Sequence, residues 1–232
     1  MIDPRQKDIL TFDCYGTLID WERGILTALQ PVLRAHGVAM DDEQLLEHYA
    51  TFEAEAERGP YLTYREVLAT CLRRFGEQMA FSPTANDIAS FSSSVGDWPA
   101  FPDSAAALAA LKRCFSLAVL TNMDDDLFAL SNEKLGRPFA TIITAQQLRS
   151  YKPAEANFHA ALARLGAPRE RVLHVAQSLF HDHVPAKRLG FDTVWVNRRH
   201  GRPGSGATPP ATARPDLEAP DMQSVARILC PE

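Results

Sequence analysis

Four short apolar runs in this chain each lead into residues able to do chemistry. Ile9 to Phe12 leads into Asp13-Cys14-Tyr15-Gly16-Thr17, and Phe115 to Leu120 leads into Thr121-Asn122. Ala140 to Thr144 is followed by Ser150-Tyr151-Lys152-Pro153, and Val172 to Ala176 by Gln177-Ser178 with Asp182 close behind. Each run has the length and character of a buried strand. In an open α/β sheet, reactive groups collect beyond the carboxyl ends of the strands. Asp13 is placed there as a carboxylate nucleophile. Such a group wants a cation nearby to keep it ionised and oriented, and Lys152 supplies that charge. Thr17, Thr121 and Asn122 offer hydroxyl and amide donors for an anionic substrate group. Asp182 can hold Lys152, bind a metal or direct a water. Taken singly, each has a plainer reading: Asp13 in a turn, Lys152 solvated before a helix, Asp182 as a helix N-cap. Their order at successive strand ends favours a shared site.

The elements that must position these groups alternate along the chain, with one interruption. After Leu18 the pattern turns helical: Ile25, Leu29, Val32 and Leu33 recur at helical spacing, then Leu45, Leu46, Tyr49 and Phe52, then Val67, Leu68, Cys71, Leu72 and Phe75. Residues 21–98 read as an inserted helical cap, and residues 1–20 and 99–232 as the core around it. Asp103 or Ser104 is the expected N-cap of a helix over Ala105 to Arg113. Helices are expected over Phe128 to Leu135, from Pro153 to Gly166, and over Asp182 to Leu189. Thr193 to Val196 is the last expected strand, 197–220 a surface loop, and Asp221 to Leu229 a closing helix. Strands alternating with helices argue a parallel sheet, so the fold class is α/β: a Rossmann-like core with a helical cap.

The 232 residues are 46% hydrophobic and 23% charged, with a formal charge of −5. That is the balance of a globular chain, and it lacks the basic footprint of a nucleic-acid binder. No apolar run is long enough to span a membrane, and the N-terminus lacks the apolar stretch of a secretory signal. Cys14, Cys71, Cys114 and Cys230 have no Cys-x-x-Cys spacing. They read as reduced thiols of a cytoplasmic protein. His181-Asp182-His183 is an unpromising metal cluster, because adjacent residues do not converge on one face of a helix or strand. One of the two histidines is an optional base for a hydrolytic water.

Asp13, Thr121, Lys152 and Asp182, in that order, resemble the four motifs of the haloacid dehalogenase-like hydrolase superfamily, over nearly the whole chain. Asp13-Cys14-Tyr15-Gly16-Thr17-Leu18 looks like the signature of its L-2-haloacid dehalogenase branch. The resemblance implies an aspartyl-ester mechanism on short (S)-2-haloalkanoic acids, with no metal or other cofactor, a small carboxylate as substrate and a possible homodimer. Asp13, Lys152, Asp182 and Thr17 would be catalytic. Tyr15, Thr121, Asn122, Arg65, Phe158, Gln177 and Ser178 would bind substrate. In the phosphatase branch a second Asp stands where Tyr15 is, and an acid stands where Gln177 is. Losing a carboxylate weakens a Mg²⁺ site, and losing a general acid slows a reaction that needs one by ~10²–10⁴-fold. Where the dehalogenases carry a cap Arg, the segment around Glu47 to Glu53 has none; Arg58 and Arg65 are nearby, and Arg65 in Thr63-Tyr64-Arg65-Glu66 is the better candidate. The branch's Tyr six residues after the Lys is Phe158, and its Ser and Asn in the last motif are Gln177 and Leu179. Two alternatives stay open: a Mg²⁺-dependent phosphatase-like hydrolase, and a non-catalytic binding protein on the same fold.

Overall fold

A computed structural model of the chain describes residues 2–231. Six parallel strands form one sheet in the order β3-β2-β1-β4-β5-β6. They are β1 (Ile9–Phe12), β2 (Ser116–Thr121), β3 (Thr141–Thr144), β4 (Val172–Ala176), β5 (Asp192–Val196) and β6 (Leu217–Ala219). Strand β1 is central: Leu10 pairs with Leu117 of β2 on one side and Leu173 of β4 on the other. The strand order reverses beside β1, and a crevice opens there at the carboxyl ends of β1, β2 and β4. All five residues of β4 are buried, as expected of a strand covered on both faces. The sixth strand corrects the expectation of a loop through 197–220. Its three residues carry no periodicity, and only their pairing with Val194 to Val196 of β5 makes them a strand.

Between β1 and β2 the chain forms only helices: α1 (Trp21–Ala35), α2 (Asp42–Glu57), α3 (Tyr64–Met79) and α4 (Ala85–Ser93), followed by a short 3₁₀ turn. Their ends are written in the sequence. Asp41 caps α2 by accepting from the Gln44 N–H, and Thr63–Glu66 and Thr84–Asp87 form reciprocal capping boxes on α3 and α4. Leu29, Leu33, Leu45, Tyr49, Leu68 and Phe75 fill the space between these helices. At Gly24 of α1 the Trp98 ring lies against the backbone, and a Cβ there would come within 2.2 Å of the ring. Gly24→Ala is therefore expected to destabilise by about 1–3 kcal/mol through overpacking, read as a lower urea midpoint.

The remaining helices cover the sheet: α5 (Ser104–Leu111), α6 (Asp125–Lys134), α7 (Ala145–Leu148), α8 (Glu155–Leu165), α9 (Val184–Arg188) and α10 (Met222–Leu229). Helix α8 starts two residues beyond Pro153. Asp103 does not cap α5 with its side chain; its carboxylate instead accepts from the Met222 N–H at 2.7 Å, at the start of α10. Packing of α10 on α5 brings Cys114 and Cys230 to a Cα separation of 6.1 Å, and they form a disulfide. This corrects the reading of four reduced thiols: the pair is 116 residues apart, so no local spacing announces it. Cys14 and Cys71 are free and buried. Among the described residues no helix is long and apolar enough to cross a membrane.

Candidate active site

Asp13 leaves β1 with its N–H still paired to the Val175 carbonyl of β4, so its side chain is set at the mouth of the sheet. Thr17 follows one tight turn later and donates to Asp13 Oδ2 at 2.6 Å. The turn needs Gly16, whose φ is +88° and where a Cβ would lie 2.9 Å from Gln177 Oε1. Lys152 Nζ lies 2.8 Å from Asp13 Oδ1 and 2.7 Å from Asp182 Oδ1, with all three side chains buried. Two of its three donors are thus spent on carboxylates. Asn122 pins the loop that carries Lys152: its Oδ1 accepts the Lys152 N–H at 2.7 Å and its Nδ2 donates to the Lys152 carbonyl at 2.9 Å.

Asp182 arrives by an unusual route. Residues Leu179–His183 form one π turn, opened by Ser178, whose Oγ accepts the His181 N–H at 2.9 Å. Extra-wide turns of this kind re-aim side chains and recur at functional sites. This one places the adjacent His181 and Asp182 on the same cavity. His183 points elsewhere and meets the Ala176 carbonyl at 2.9 Å. Asp182 Oδ1 also meets His174 Nε2 at 2.9 Å, while His174 Nδ1 faces Thr11 Oγ1 at 2.9 Å. This fits a ring that donates to the carboxylate and accepts from the hydroxyl.

The charges follow from these contacts. Burial works against ionising Asp182, but the Lys152 ammonium overrides it, His174 adds to the effect, and the carboxyl is held far below its ordinary range. Burial likewise works against Lys152, and the two carboxylates override it and raise its pKa. Burial raises the Asp13 carboxyl, opposed by Lys152 and by the Thr17 hydroxyl.

These groups surround a cavity of about 30 Å³, also lined by Tyr15, Trp21, Glu53, Glu57, Tyr64 and Met123. The expected residues Asp13, Tyr15, Asn122, Lys152, Ser178 and Asp182 meet there. Tyr15 presents its ring, since its hydroxyl is taken by Ser131 Oγ at 2.8 Å. Thr17 stands behind Asp13. Thr121, at the end of β2, is buried with its hydroxyl unpartnered and is not part of the lining. Gln177 contributes its N–H to Thr17 Oγ1 at 2.8 Å, and its side chain borders another hollow. Phe158 packs edge-on to His174, 5.4 Å between centroids, behind the site. Arg65 corrects the search for a cap cation. The backbone N–H groups of Tyr64 and Arg65 are held by the Asp124 carboxylate at 2.9 and 3.2 Å, which turns the Arg65 side chain outward. It lies 41% exposed, with Nη1 2.8 Å from Asp126.

In place of a cation the helical cover contributes acids. Glu53 and Glu57 lie one turn apart on α2, after Tyr49, where the apolar stripe of that helix faces inward. Glu53 Oε1 accepts from the Tyr49 hydroxyl at 2.9 Å and from the Tyr64 hydroxyl at 2.6 Å. Burial pushes its carboxyl from 4.5 up to about 7. A group whose pKa is raised by folding binds protons better when folded, so its contribution is complete below 4.5 and is lost as pH rises through about 7. The chain is expected to lose at most about 3 kcal/mol over that window, a slope that Glu53→Gln should remove in urea titrations at several pH values. Neither these acids nor His174 is proposed by motif. The available signal is positional: a polar residue on an otherwise buried helix stripe or strand.

The donor set does not suit Mg²⁺. The Lys152 ammonium sits between the two aspartates a metal would bridge, and Thr17 and His174 engage two of their oxygens. Only Asp182 Oδ2 lacks a partner. A second acid is replaced by Gln177, while Mg²⁺ demands near-octahedral hard oxygen ligands.

The fold and this carboxylate–ammonium–carboxylate cluster define a class: an α/β protein with its site at parallel strand ends, beneath a helical cover. Residues 7–180 match the family model for haloacid dehalogenase-like hydrolases, and the chain belongs to that family. It is 23% identical over 195 residues to an (S)-2-haloacid dehalogenase of Pseudomonas putida, covering 83% of this chain and 85% of the relative. Its identity to the (S)-2-haloacid dehalogenase H-109 of Pseudomonas putida is 25% over 210 residues, covering 82% and 85%. Among solved structures, the L-2-haloacid dehalogenase from Xanthobacter autotrophicus superposes with a TM-score of 0.78 at 20% identity, covering 96% of this chain and 98% of that one.

Proposed function

We propose that this chain is a metal-independent (S)-2-haloacid dehalogenase-like hydrolase acting through an ester on Asp13. The observation that carries the reading is the buried Asp13 carboxylate, braced by Thr17 and facing the cavity, with the Lys152 ammonium seated between it and Asp182. Asp13 attacks the halogen-bearing carbon from behind, halide leaves with the bond pair, and an ester forms. Water then adds to the Asp13 carbonyl carbon and releases a 2-hydroxy acid of inverted configuration. Lys152 holds Asp13 in line, and Asp182 with His174 holds Lys152. Halide departs without a proton, which agrees with Tyr15 standing where the phosphatase branch has an acid. The (S)-2-haloacid dehalogenase relatives act on substrates of the class named here, and the Xanthobacter enzyme has also been solved with chloropropionic acid covalently bound.

The cavity has the volume of roughly one water molecule, so substrate entry requires the helical cover to shift. A cleft of about 380 Å³ meets the cavity at Glu57 and Lys152 and is the natural route in. The reading is tested by one turnover of (S)-2-chloropropionate in ¹⁸O-water with EDTA present. The label is expected in the Asp13 carboxylate and not in the lactate formed. Label in the lactate would mean that water attacks the substrate directly.

A further inference from the structure

Beside its tyrosines, the cavity holds three ionisable groups with no part in the reaction above: Glu53, Glu57 and His181. Glu53 is tied down by two tyrosine hydroxyls. Glu57 and His181 meet across the boundary between the helical cover and the sheet, with Oε2 and Nε2 3.9 Å apart and both side chains under 10% exposed. That gap is too long for a hydrogen bond and suits one bridging water, and the adjoining cavity has room for one. His181 Nε2 is buried without a partner, while its Nδ1 is fixed by Ser178 Oγ at 3.1 Å. The Glu57 carboxylate is touched by the Asn122 amide at 3.3 Å.

We propose that Glu57 and His181 hold one transferable proton, which Glu57 gives to the leaving atom as Asp13 attacks and the pair recovers from the water that hydrolyses the Asp13 ester. This rests on the reading of Asp13 as nucleophile and extends its substrate class. Fluorine, oxygen and nitrogen leave poorly without a proton or a strong hydrogen bond, whereas chloride and bromide do not need one. A proton source beside Asp13 therefore widens the range of 2-substituted acids from chloride and bromide to leaving atoms of those three kinds.

The surroundings agree. Burial, and then Glu53, push the Glu57 carboxyl well above the ordinary range, against the pull of Lys152. Burial pushes the His181 imidazole down to about 4. Both directions favour the proton of the pair on Glu57 over His181. Two groups pushed apart in this way beside a nucleophile mark an acid and base assignment. The balance closes for an oxygen or nitrogen leaving atom. The Asp13–carbon bond forms, the carbon–leaving-atom bond breaks, its electron pair goes to the leaving atom, and that atom takes the Glu57 proton. Water then adds to the ester carbonyl. One of its protons returns to Glu57, directly or through His181. The other goes to the departing product oxygen, and Asp13 is restored as carboxylate.

The test is a rapid-quench comparison of (S)-2-bromopropionate and (S)-2-fluoropropionate in the full-length chain. In Glu57→Leu the ratio of first-turnover fluoride to bromide release is expected to fall by ~10² or more. In His181→Ala the Asp13 ester is expected to accumulate, seen as added mass on the intact protein, and imidazole is expected to clear it. An unchanged ratio, or no ester build-up, overturns the proposal while bromide release by wild type leaves the Asp13 reading standing. A wild type silent on both substrates sinks the Asp13 reading, and with it the substrate class proposed here. The proton itself is then judged by infrared spectroscopy at about pH 8.5. A protonated-carboxyl band that vanishes in Glu57→Leu supports the pair, and absence of that band in wild type refutes it.

Discussion

Asp13→Asn is expected to leave a folded protein that releases no measurable halide, with turnover down by at least ~10⁴-fold. An amide cannot form the ester, and no other ionised carboxylate of the cavity is free to replace it. Asp182 is engaged by Lys152 and His174, and the acids of α2 are pushed toward their neutral forms by burial. Folding survives because the substitution eases the cluster's charge. Asp13, Asp182 and Lys152 together carry one excess negative charge in a buried site, and the amide removes it while Lys152 keeps its pair with Asp182. Circular dichroism and a urea midpoint near the wild-type value, alongside absent halide release, are the expected results. Residual turnover of a few per cent would point to water attacking the substrate without an ester.

Lys152→Met is expected to do the opposite to stability. Removing the ammonium leaves Asp13 and Asp182 facing one another in a buried site, and stranded buried charges of this kind cost about 3–5 kcal/mol. The pH window follows from the direction of each shift. Lys152 is raised above its ordinary 10.5, so its contribution is complete below that value and is lost as pH climbs through the folded pKa. Asp182 is lowered below its ordinary 3.8, so its contribution is complete above that value and is lost as pH falls through the folded pKa. Wild type therefore keeps the whole contribution from about pH 5 to 9. The variant should be worst at neutral and alkaline pH and should recover partly in acid, as the stranded carboxylates take up protons. A midpoint unchanged at pH 7 would mean that water enters the site and solvates the aspartates. Halide release should be lost in either case, because nothing then keeps Asp13 charged and aimed.

Much of the core is legible in the order of residues alone. Asp13, Lys152 and Asp182 are far apart in the chain, yet each follows an apolar run. A parallel sheet brings the carboxyl ends of such runs together at its reversal point. Asn122 is legible as a site residue but not in its main role, in which both ends of its amide hold the backbone of Lys152 and its Nδ2 also reaches Glu57. Arg65 shows where that kind of reading stops. Its distance along the chain from the expected cap position says nothing of direction, and direction is settled by Asp124, a residue of the core, gripping the start of α3.

What the sequence determined by itself is whatever depends on local order. It set the strand ends, the capping boxes that start α3 and α4, the glycine that lets Thr17 turn back onto Asp13, and the motif around Asp13 itself. The tertiary structure alone decided what depends on distant groups sharing a dry space. The π turn puts His181 beside Asp182 on one cavity, the packing of α10 on α5 joins Cys114 to Cys230, and the closure of α2 over the sheet brings Glu53 and Glu57 to the site. The physical reason is that a charge's pKa, and so its role, is set by desolvation and by neighbours within a few ångströms. For Glu57 only Glu53 is near in sequence, one turn back on α2, while Asn122, Lys152 and His181 come from three other parts of the chain, and no spacing rule connects these to it.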